Sequence, residues 1–502
     1  AAGAGAWRGW LAALPPLPWP VKLLMAGAAA PALLGALAPE ITYDALAYHL
    51  GAPALFLKAH RIVRLEHMFF TDLPLGLQSV YGFGLALGGE GACKLLHWAL
   101  GLLCVAQAAS LGALACPERG RRTGAWAAAF LAATPFLATQ MMKANVDLGV
   151  MLLTGAGAWW ILRGGGVRSA VAAGVCLGGS ATMKLTGGIG VIAGLAAGAS
   201  AVPLALAAAV PLAPWAAKSW LLAGNPVYPF LPGWLGGLGW TPACAARYRE
   251  DMTGPTSFNL QYPGAAARVA GPWLMVQHDR GGEAALGPFV LSLVPAVAWL
   301  RRPGARARLA RFVLVYWLLW FVAARDPRFF LPAWPAACAL AAALLTELTG
   351  RAGAALRWAC ALGVAATPVI VSATVFRLYN PGPVAWGALT REEYRDRLIP
   401  PPGRLVPLLR VVGGLAGPAA RVLLVGDVKA PDLGAVPVYA SLFDEQHLAA
   451  WARAAPSAER LAVRFRQAGI GVVFFHVGGA VFLQERFASF ALPPPAWDSD
   501  AR

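Results

Sequence analysis

Two carboxylates four residues apart, Glu40 and Asp44, lie in the stretch Glu40-Ile41-Thr42-Tyr43-Asp44-Ala45-Leu46-Ala47-Tyr48-His49-Leu50, just beyond an apolar run. On a helix that spacing puts both on one face; in a loop they stay close along the chain. Carboxylates so placed can take a proton from a hydroxyl or hold a divalent cation, and a solvated loop with a capping acid is the plain alternative. Three further charges sit at the edges of apolar runs. Asp147 follows Lys143-Ala144-Asn145-Val146 and opens a span, where it can cap a helix or position an acceptor or a metal. Lys184, in Ser180-Ala181-Thr182-Met183-Lys184-Leu185-Thr186-Gly187, suits a lipid phosphate as well as a lysine snorkelling to the interface. Arg328 follows Asp326-Pro327 and can grip a phosphate with two N–H groups, pair with Asp326, or do both.

Lys218 to Phe230 is rich in aromatic residues and contains Asn225 and Tyr228; its rings also suit interfacial anchoring. His49, His60, His67 and His278 are too dispersed for a zinc site, and seven cysteines stand singly with no CxxC, which gives neither a metal cage nor a disulfide framework.

These residues need elements to hold them, and the composition says which. Of 502 residues 58% are hydrophobic and only 13% charged, about half the charged share of a soluble domain, which is roughly 25%. The chain reads as a polytopic membrane protein. Its formal charge of +17 comes with no nucleic-acid-binding motif, so the basic clusters are assigned to cytoplasmic loops and anionic lipid headgroups.

Apolar periodicity predicts about eleven helices, near residues 22–38, 92–115, 124–142, 147–163, 167–183, 186–200, 202–217, 286–300, 311–325, 330–347 and 356–376. The first has a signal peptide's layout, but Pro39 directly after its small residues argues for a retained helix. Placing Arg119 to Arg122, Arg163 to Arg168 and Arg301 to Arg311 on the cytoplasmic side fixes the parity. Residues 73–89 then read as an interfacial helix, and the run 186–217 divides near Ser200 to Pro203. The segment 39–71, Lys143 to Asp147, Lys184, the loop 218–283, Arg325 to Arg328 and the chain after Arg377 gather on the external face.

The expected organisation is a membrane domain over residues 1–376, with external loops 39–91 and 218–285, followed by a small extramembrane α/β domain over 377–502. In that domain Arg421 to Asp427 and Gly471 to His476 read as strands, and Phe443 to Ala454 and Ser457 to Ala468 as helices. No GxGxxG pattern accompanies the Val425-Gly426-Asp427 turn.

Taken in order, these pieces resemble the GT-C superfamily of polyprenyl-phosphate-sugar-dependent glycosyltransferases, which includes protein O-mannosyltransferases and lipid A aminoarabinose transferases. The resemblance covers most of the membrane portion. It rests on Glu40 and Asp44 in the first external loop, on Asp147, on Ser180 to Gly187 with Lys184, on Gly224-Asn225-Pro226-Val227-Tyr228-Pro229, and on Arg328-Phe329-Phe330-Leu331-Pro332. It implies an inverting transfer of one sugar from a polyprenyl phosphate to a hydroxyl at the external face of a bacterial inner membrane, with the C-terminal domain periplasmic. Asp44 is then the base, aided by Glu40 and Asp147. Lys184 and Arg328 hold the lipid phosphate, and Tyr43, His49, Asn145, Asn225 and Tyr228 line the substrate site. It implies no nucleotide site, and a divalent cation among Glu40, Asp44 and Asp147 is compatible with the pattern. The first loop departs from the tighter acidic motif of many members, and Phe329 stands where tyrosine is frequent, which bears on sugar and acceptor identity. A lipid-linked solute transporter, for which no internal repeat is found, and a non-catalytic subunit of a membrane complex are the competing readings.

Overall fold

The computed structural model describes residues 17–253, 297–301, 304–323, 326–399, 405–430 and 433–486. The chain is an all-α membrane bundle with a small α/β portion near its C-terminus. Its helices begin with α1 (Trp19–Leu37), α2 (Gly51–Ala59), α3 (Gly76–Ala115), α4 (Gly120–Ala132) and α5 (Pro135–Met141). They continue through α6 (Asp147–Arg163), α7 (Val167–Met183), α8 (Gly188–Ala196), α9 (Ala201–Ala223) and α10 (Pro242–Thr253). After these come α11 (Ala305–Ala323), α12 (Trp334–Glu347), α13 (Gly350–Leu378), α14 (Arg391–Leu398) and α15 (Leu405–Ala416). The C-terminal elements are β1 (Arg421–Val425), β2 (Val436–Val438), α16 (His447–Ala454), α17 (Ala458–Gln467), β3 (Ile470–Phe475) and α18 (Val477–Arg486).

Contacts divide the chain into two compact units. One comprises Ala1–Ala38, Pro74–Trp215 and Tyr262–Trp386; the other comprises Pro39–Leu73, Ala216–Gln261 and Gly387–Arg502. Five helices among the described residues are long and apolar enough to cross a bilayer: α1, α3, α9, Pro327–Glu347 and α13. The other expected spans are shorter or broken. α6 and α7 have 17 residues each, at the lower limit of about 17 to 25 for a crossing, and most of the expected helix at 286–300 lies outside the described residues.

Two breaks differ from the apolar pattern. The span expected over 124–142 is two helices, because Pro135 has no N–H to continue the first. The Thr134 hydroxyl donates to the Phe130 carbonyl at 3.0 Å and accepts from Trp334 Nε1 at 2.9 Å, so backbone at membrane depth stays satisfied. In α3 the backbone leaves the helical region at Gly88 and Gly89, the latter at φ 66°. The piece from Gly76 to Leu87 is thus too short to cross alone, and the long apolar remainder carries the span. The run 186–217 divides, as expected, between α8 and α9.

The expected cytoplasmic arginines gather at one end of the first unit and cap helix C-termini. Arg306 Nε donates to the Ala115 carbonyl at 3.0 Å, Arg308 Nη2 to Leu162 at 2.7 Å, and Arg119 Nη1 to Thr346 at 3.0 Å. Arg306 also joins Glu118 to Glu347. Each guanidinium meets carbonyls that lack helical partners and sits at the negative end of the helix dipole.

In the second unit β1 is central in a parallel sheet of order β2-β1-β3. Val422 and Leu424 face a core with Leu405, Leu409 and Tyr439, while Leu423 and Val425 pack toward Trp451 on the opposite side, the alternation that period-two side chains impose. Both expected strands and the helix at 457–468 form, whereas α16 starts only at His447.

α7 approaches α9 closely through Gly174 and Gly178. A Cβ at Gly178 would lie 2.1 Å from the Ala208 carbonyl oxygen, and one at Gly174 2.4 Å from that of Leu204. Such small-residue stripes let membrane helices pack backbone to backbone. Gly178→Ala should therefore lower stability by about 1–3 kcal/mol, read as thermal unfolding in detergent, whereas Gly188→Ala, where a Cβ would meet nothing, should be neutral or slightly stabilising.

Candidate functional site

Three of the residues singled out by sequence converge in the first unit. Asp147, first residue of α6, is 1% exposed. Lys184, immediately after α7, donates from Nζ to Asp147 Oδ1 at 2.9 Å. Arg328 approaches Oδ2 with Nε at 2.9 Å and Nη2 at 2.9 Å. One buried carboxylate thus holds two cations from segments 37 and 181 residues away. Its place in the first turn of α6 adds the helix dipole to their attraction.

The surroundings fix each member. Asp326 Oδ1 accepts the Arg328 N–H at 2.8 Å and caps the short turn Pro327–Phe330. Asp326 therefore positions Arg328 through its backbone, while the guanidinium goes to Asp147. The Lys184 ammonium lies over the Phe329 ring, 4.4 Å from its centroid, a cation–π contact. Tyr316 donates to the Phe329 carbonyl at 3.3 Å and Trp320 Nε1 to that of Asp326.

His97, which sequence reasoning missed, aligns the start of α6. Its Nε2 accepts the Leu148 N–H at 3.2 Å, so Nδ1 carries the proton donated to the Gln140 carbonyl at 2.9 Å. Asn145 donates from Nδ2 to Gln140 Oε1 at 3.0 Å, and Tyr81 donates to the Asn145 carbonyl. The Asn145 side-chain oxygen is buried and has no hydrogen-bond partner among the described residues. A lone histidine inside an apolar run gives no sequence signal of such a role.

The remaining residues lie in the second unit. Glu40 is 1% exposed, and its Oε1 accepts from the N–H groups of Ile41 and Thr42, both at 2.9 Å, and from the Thr42 hydroxyl at 2.7 Å. It organises the loop entry. Asp44, half-buried, precedes a π-helical turn, Ala45–His49, closed by Leu50 N–H to the Ala45 carbonyl at 2.8 Å. Tyr439 donates to the Ala47 carbonyl at 2.8 Å and supports that turn. Tyr43 accepts the Leu442 N–H at 3.3 Å; burial, reinforced by Asp44 and other carboxylates, raises its phenol well above the usual value. His49 closes the turn with its ring beside Tyr48, which stacks on Phe70.

Asn225 stitches its loop together, donating to the Phe230 carbonyl at 2.8 Å and the Gly236 carbonyl at 2.9 Å and accepting from Val227 N–H at 2.9 Å. Tyr228 is buried beside Trp240.

Two of the residues suggested for a divalent cation carry other contacts. Both Asp147 oxygens face cationic donors, and Glu40 Oε1 receives three donors. Among the described residues, Cys116, Glu118 and Glu347 also cluster, but Arg306 already occupies both of those carboxylates.

No family model matches the chain, and no curated protein matches it by sequence. Solved structures do match. ArnT from Cupriavidus metallidurans bound to undecaprenyl phosphate aligns with a TM-score of 0.56 at 13% identity, over 94% of this chain and 99% of that one. The oligosaccharyltransferase of Archaeoglobus fulgidus in complex with Zn and sulfate aligns with a TM-score of 0.53 at 13% identity, over 93% of this chain and 69% of that one. The same oligosaccharyltransferase tethered to an acceptor peptide gives a TM-score of 0.52 at 10% identity, over 94% and 71%. At these identities the likeness shows that this chain has the fold of these neighbours.

Two outcomes follow from the charges described. Asp147→Ala removes the carboxylate that both Lys184 and Arg328 contact and should destabilise by roughly 3 kcal/mol, the low end for a buried pair losing one partner, because both cations keep about a fifth of their side chains exposed; thermal unfolding in detergent reads it. In the second unit, Asp72 is paired with Arg64 at 3.3 Å. Burial raises its carboxyl to about 6, with Arg64 and Lys218 pulling the other way. The folded state binds this proton more tightly than the unfolded one, so the contribution is full below about pH 4 and lost as pH rises through about 6. Wild type should lose more stability than Asp72→Asn between pH 5 and 7.

Proposed function

We propose that this chain is a membrane glycosyltransferase that moves a sugar from a polyprenyl-phosphate donor to a hydroxyl acceptor, with inversion, at the external face of a bacterial inner membrane. The observation that carries the reading is the Asp147–Lys184–Arg328 triad, in a fold shared with polyprenyl-phosphate-dependent transferases. Its net charge is positive, two cations against one carboxylate. With 21% and 20% of their side chains exposed, both can donate to a phosphate while Asp147 keeps them aimed.

Their chemistry is to offset charge as the bond from anomeric carbon to phosphate oxygen breaks. A well-placed donor to a developing oxyanion is worth roughly 3–4 kcal/mol. Asp44 takes the acceptor proton as the hydroxyl attacks the opposite face of the anomeric carbon, and the polyprenyl phosphate leaves with the electron pair of the broken bond. Glu40, engaged by three donors, shapes the loop that presents Asp44. The C-terminal α/β portion is assigned to the periplasm, with the arginine-capped helix ends in the cytoplasm.

The test is sugar release and transfer by purified protein offered a panel of radiolabelled polyprenyl-phosphate sugars. Wild type should release one of them. Asp44→Asn should fall by about 10²- to 10⁴-fold, the range for loss of a general base. Arg328→Lys, which keeps the charge but loses the planar fork, should be impaired with an unaltered acceptor KM. Release from no donor, or equal release by wild type and a folded Asp44→Asn variant, would sink the proposal.

A further inference from the structure

In the first unit α1 packs against both α4 and α13, and between the three helices lies a groove of about 560 Å³. Small residues make it. Ala125 and Ala129 on α4, and Ala361 and Ala365 on α13, stand four apart, so each pair presents a narrow face where larger side chains would fill the space. Leu24 and the Trp126 ring add apolar wall. Farther along α1 the groove closes: a Cβ at Gly27 would lie 3.1 Å from Cβ of Pro368 on α13.

The lining carries two charges, Arg121 and Arg122, the second and third residues of α4. Both are exposed, and neither forms a hydrogen bond or ion pair with another of the described residues. Their neighbours behave differently, since Arg119 and Arg306 each meet a carbonyl near a helix C-terminus. Nor does their own helix hold them, because its dipole favours cations at the opposite end.

The groove faces lipid and stands apart from the Asp147 triad. Only 17% of the apolar stretch of α13 is buried inside the protein, so this flank meets hydrocarbon. Asp147 opens α6, and Arg308 caps Leu162 at its other end. The 17 residues of that helix, about 25 Å, separate the triad from the end where the arginines gather.

An apolar groove with a cationic mouth fits an amphiphile, its hydrocarbon along the helices and its phosphate at the planar guanidinium forks. We propose that the groove binds an anionic diacyl phospholipid, an acyl chain against Leu24 and Trp126 and the phosphodiester at Arg121 and Arg122. A zwitterionic headgroup fits less well, because its own cation meets the arginines. The bound lipid touches all three helices and so ties α4 and α13 to α1. The inference does not rest on glycosyl transfer, because binding is read with no donor present.

The experiment is native mass spectrometry of the full-length purified chain titrated with phosphatidylglycerol or phosphatidylcholine of the same acyl chains, beside thermal unfolding in the same detergent. Wild type should bind phosphatidylglycerol about tenfold or more tighter than phosphatidylcholine and unfold at a higher temperature with it. Arg121→Ala with Arg122→Ala should bring the two affinities together. Ala365→Phe, at an exposed position, keeps both arginines but fills the groove; it should weaken both lipids and decides the matter if the double variant does not fold. Arg168→Ala with Arg351→Ala removes the same charge from exposed arginines outside the groove and should bind as wild type does. Equal affinity of wild type for the two lipids, equal loss in both double variants, or unchanged binding by a folded Ala365→Phe variant overturns the proposal. Displacement of phosphatidylglycerol by an equimolar polyprenyl phosphate overturns the choice of a diacyl lipid.

Discussion

A carboxylate taken out of water costs several kcal/mol unless its charge is met at close range, and Asp147 imposes that condition on the whole first unit. It is 1% exposed and stands at the opening of α6. Meeting its charge requires the end of α7 to bring Lys184 and the turn before α12 to bring Arg328. Neither cation can move away without leaving the carboxylate short of a partner. The short helical turns at Leu185–Gly187 and Pro327–Phe330 are where the chain departs from simple membrane-crossing helices to satisfy this one charge. His97 acts on the same place from α3 by accepting the Leu148 N–H, an amide that would otherwise go unpaired in the first turn of α6.

The opposite end of the bundle obeys a complementary rule. There the exposed groups are helix C-terminal carbonyls, and the arginines supplied by the basic loops meet them. Basic clusters that the positive-inside rule assigns to one side thus also close the helix ends on that side. Charge therefore sets both the polarity of the unit and the completeness of its hydrogen bonding, which the hydrophobic effect cannot do in a lipid environment.

How much of this is legible in sequence depends on whether the signal is local. α6 and α7 are readable to the residue because Asp147, Arg163, the three glycines at 164–166 and Lys184 mark their ends. The break at Pro135 and the kink at Gly88 and Gly89 are less so: apolar runs pass straight through them, and only backbone geometry separates the pieces. For the site, the residue types at 147, 184 and 328 announce themselves as charges beside apolar runs. Their mutual pairing does not, because nothing local couples positions so far apart. Arg328 pairing with Asp147 while Asp326 serves as a backbone cap is a choice between two carboxylates that only the tertiary fold makes. His97 and Gln140 are silent for the same reason.

Glu40 and Asp44 show how similar side chains acquire different work from their surroundings. The Glu40 carboxylate receives three short donors within two residues of itself and is nearly inaccessible. Those donors tie the carboxylate to its own loop. Asp44 is half-buried and opens a π-helical turn. Such turns insert one residue more than an α-helix would hold and are frequent at functional sites. The turn here is sustained from outside, since Tyr439 donates to the Ala47 carbonyl and a Cβ at Gly51 would lie 2.4 Å from the Leu46 carbonyl. The backbone around this turn is thus set by Gly51, close to it in the chain, and by Tyr439, 392 residues beyond Ala47, and it begins directly after Asp44.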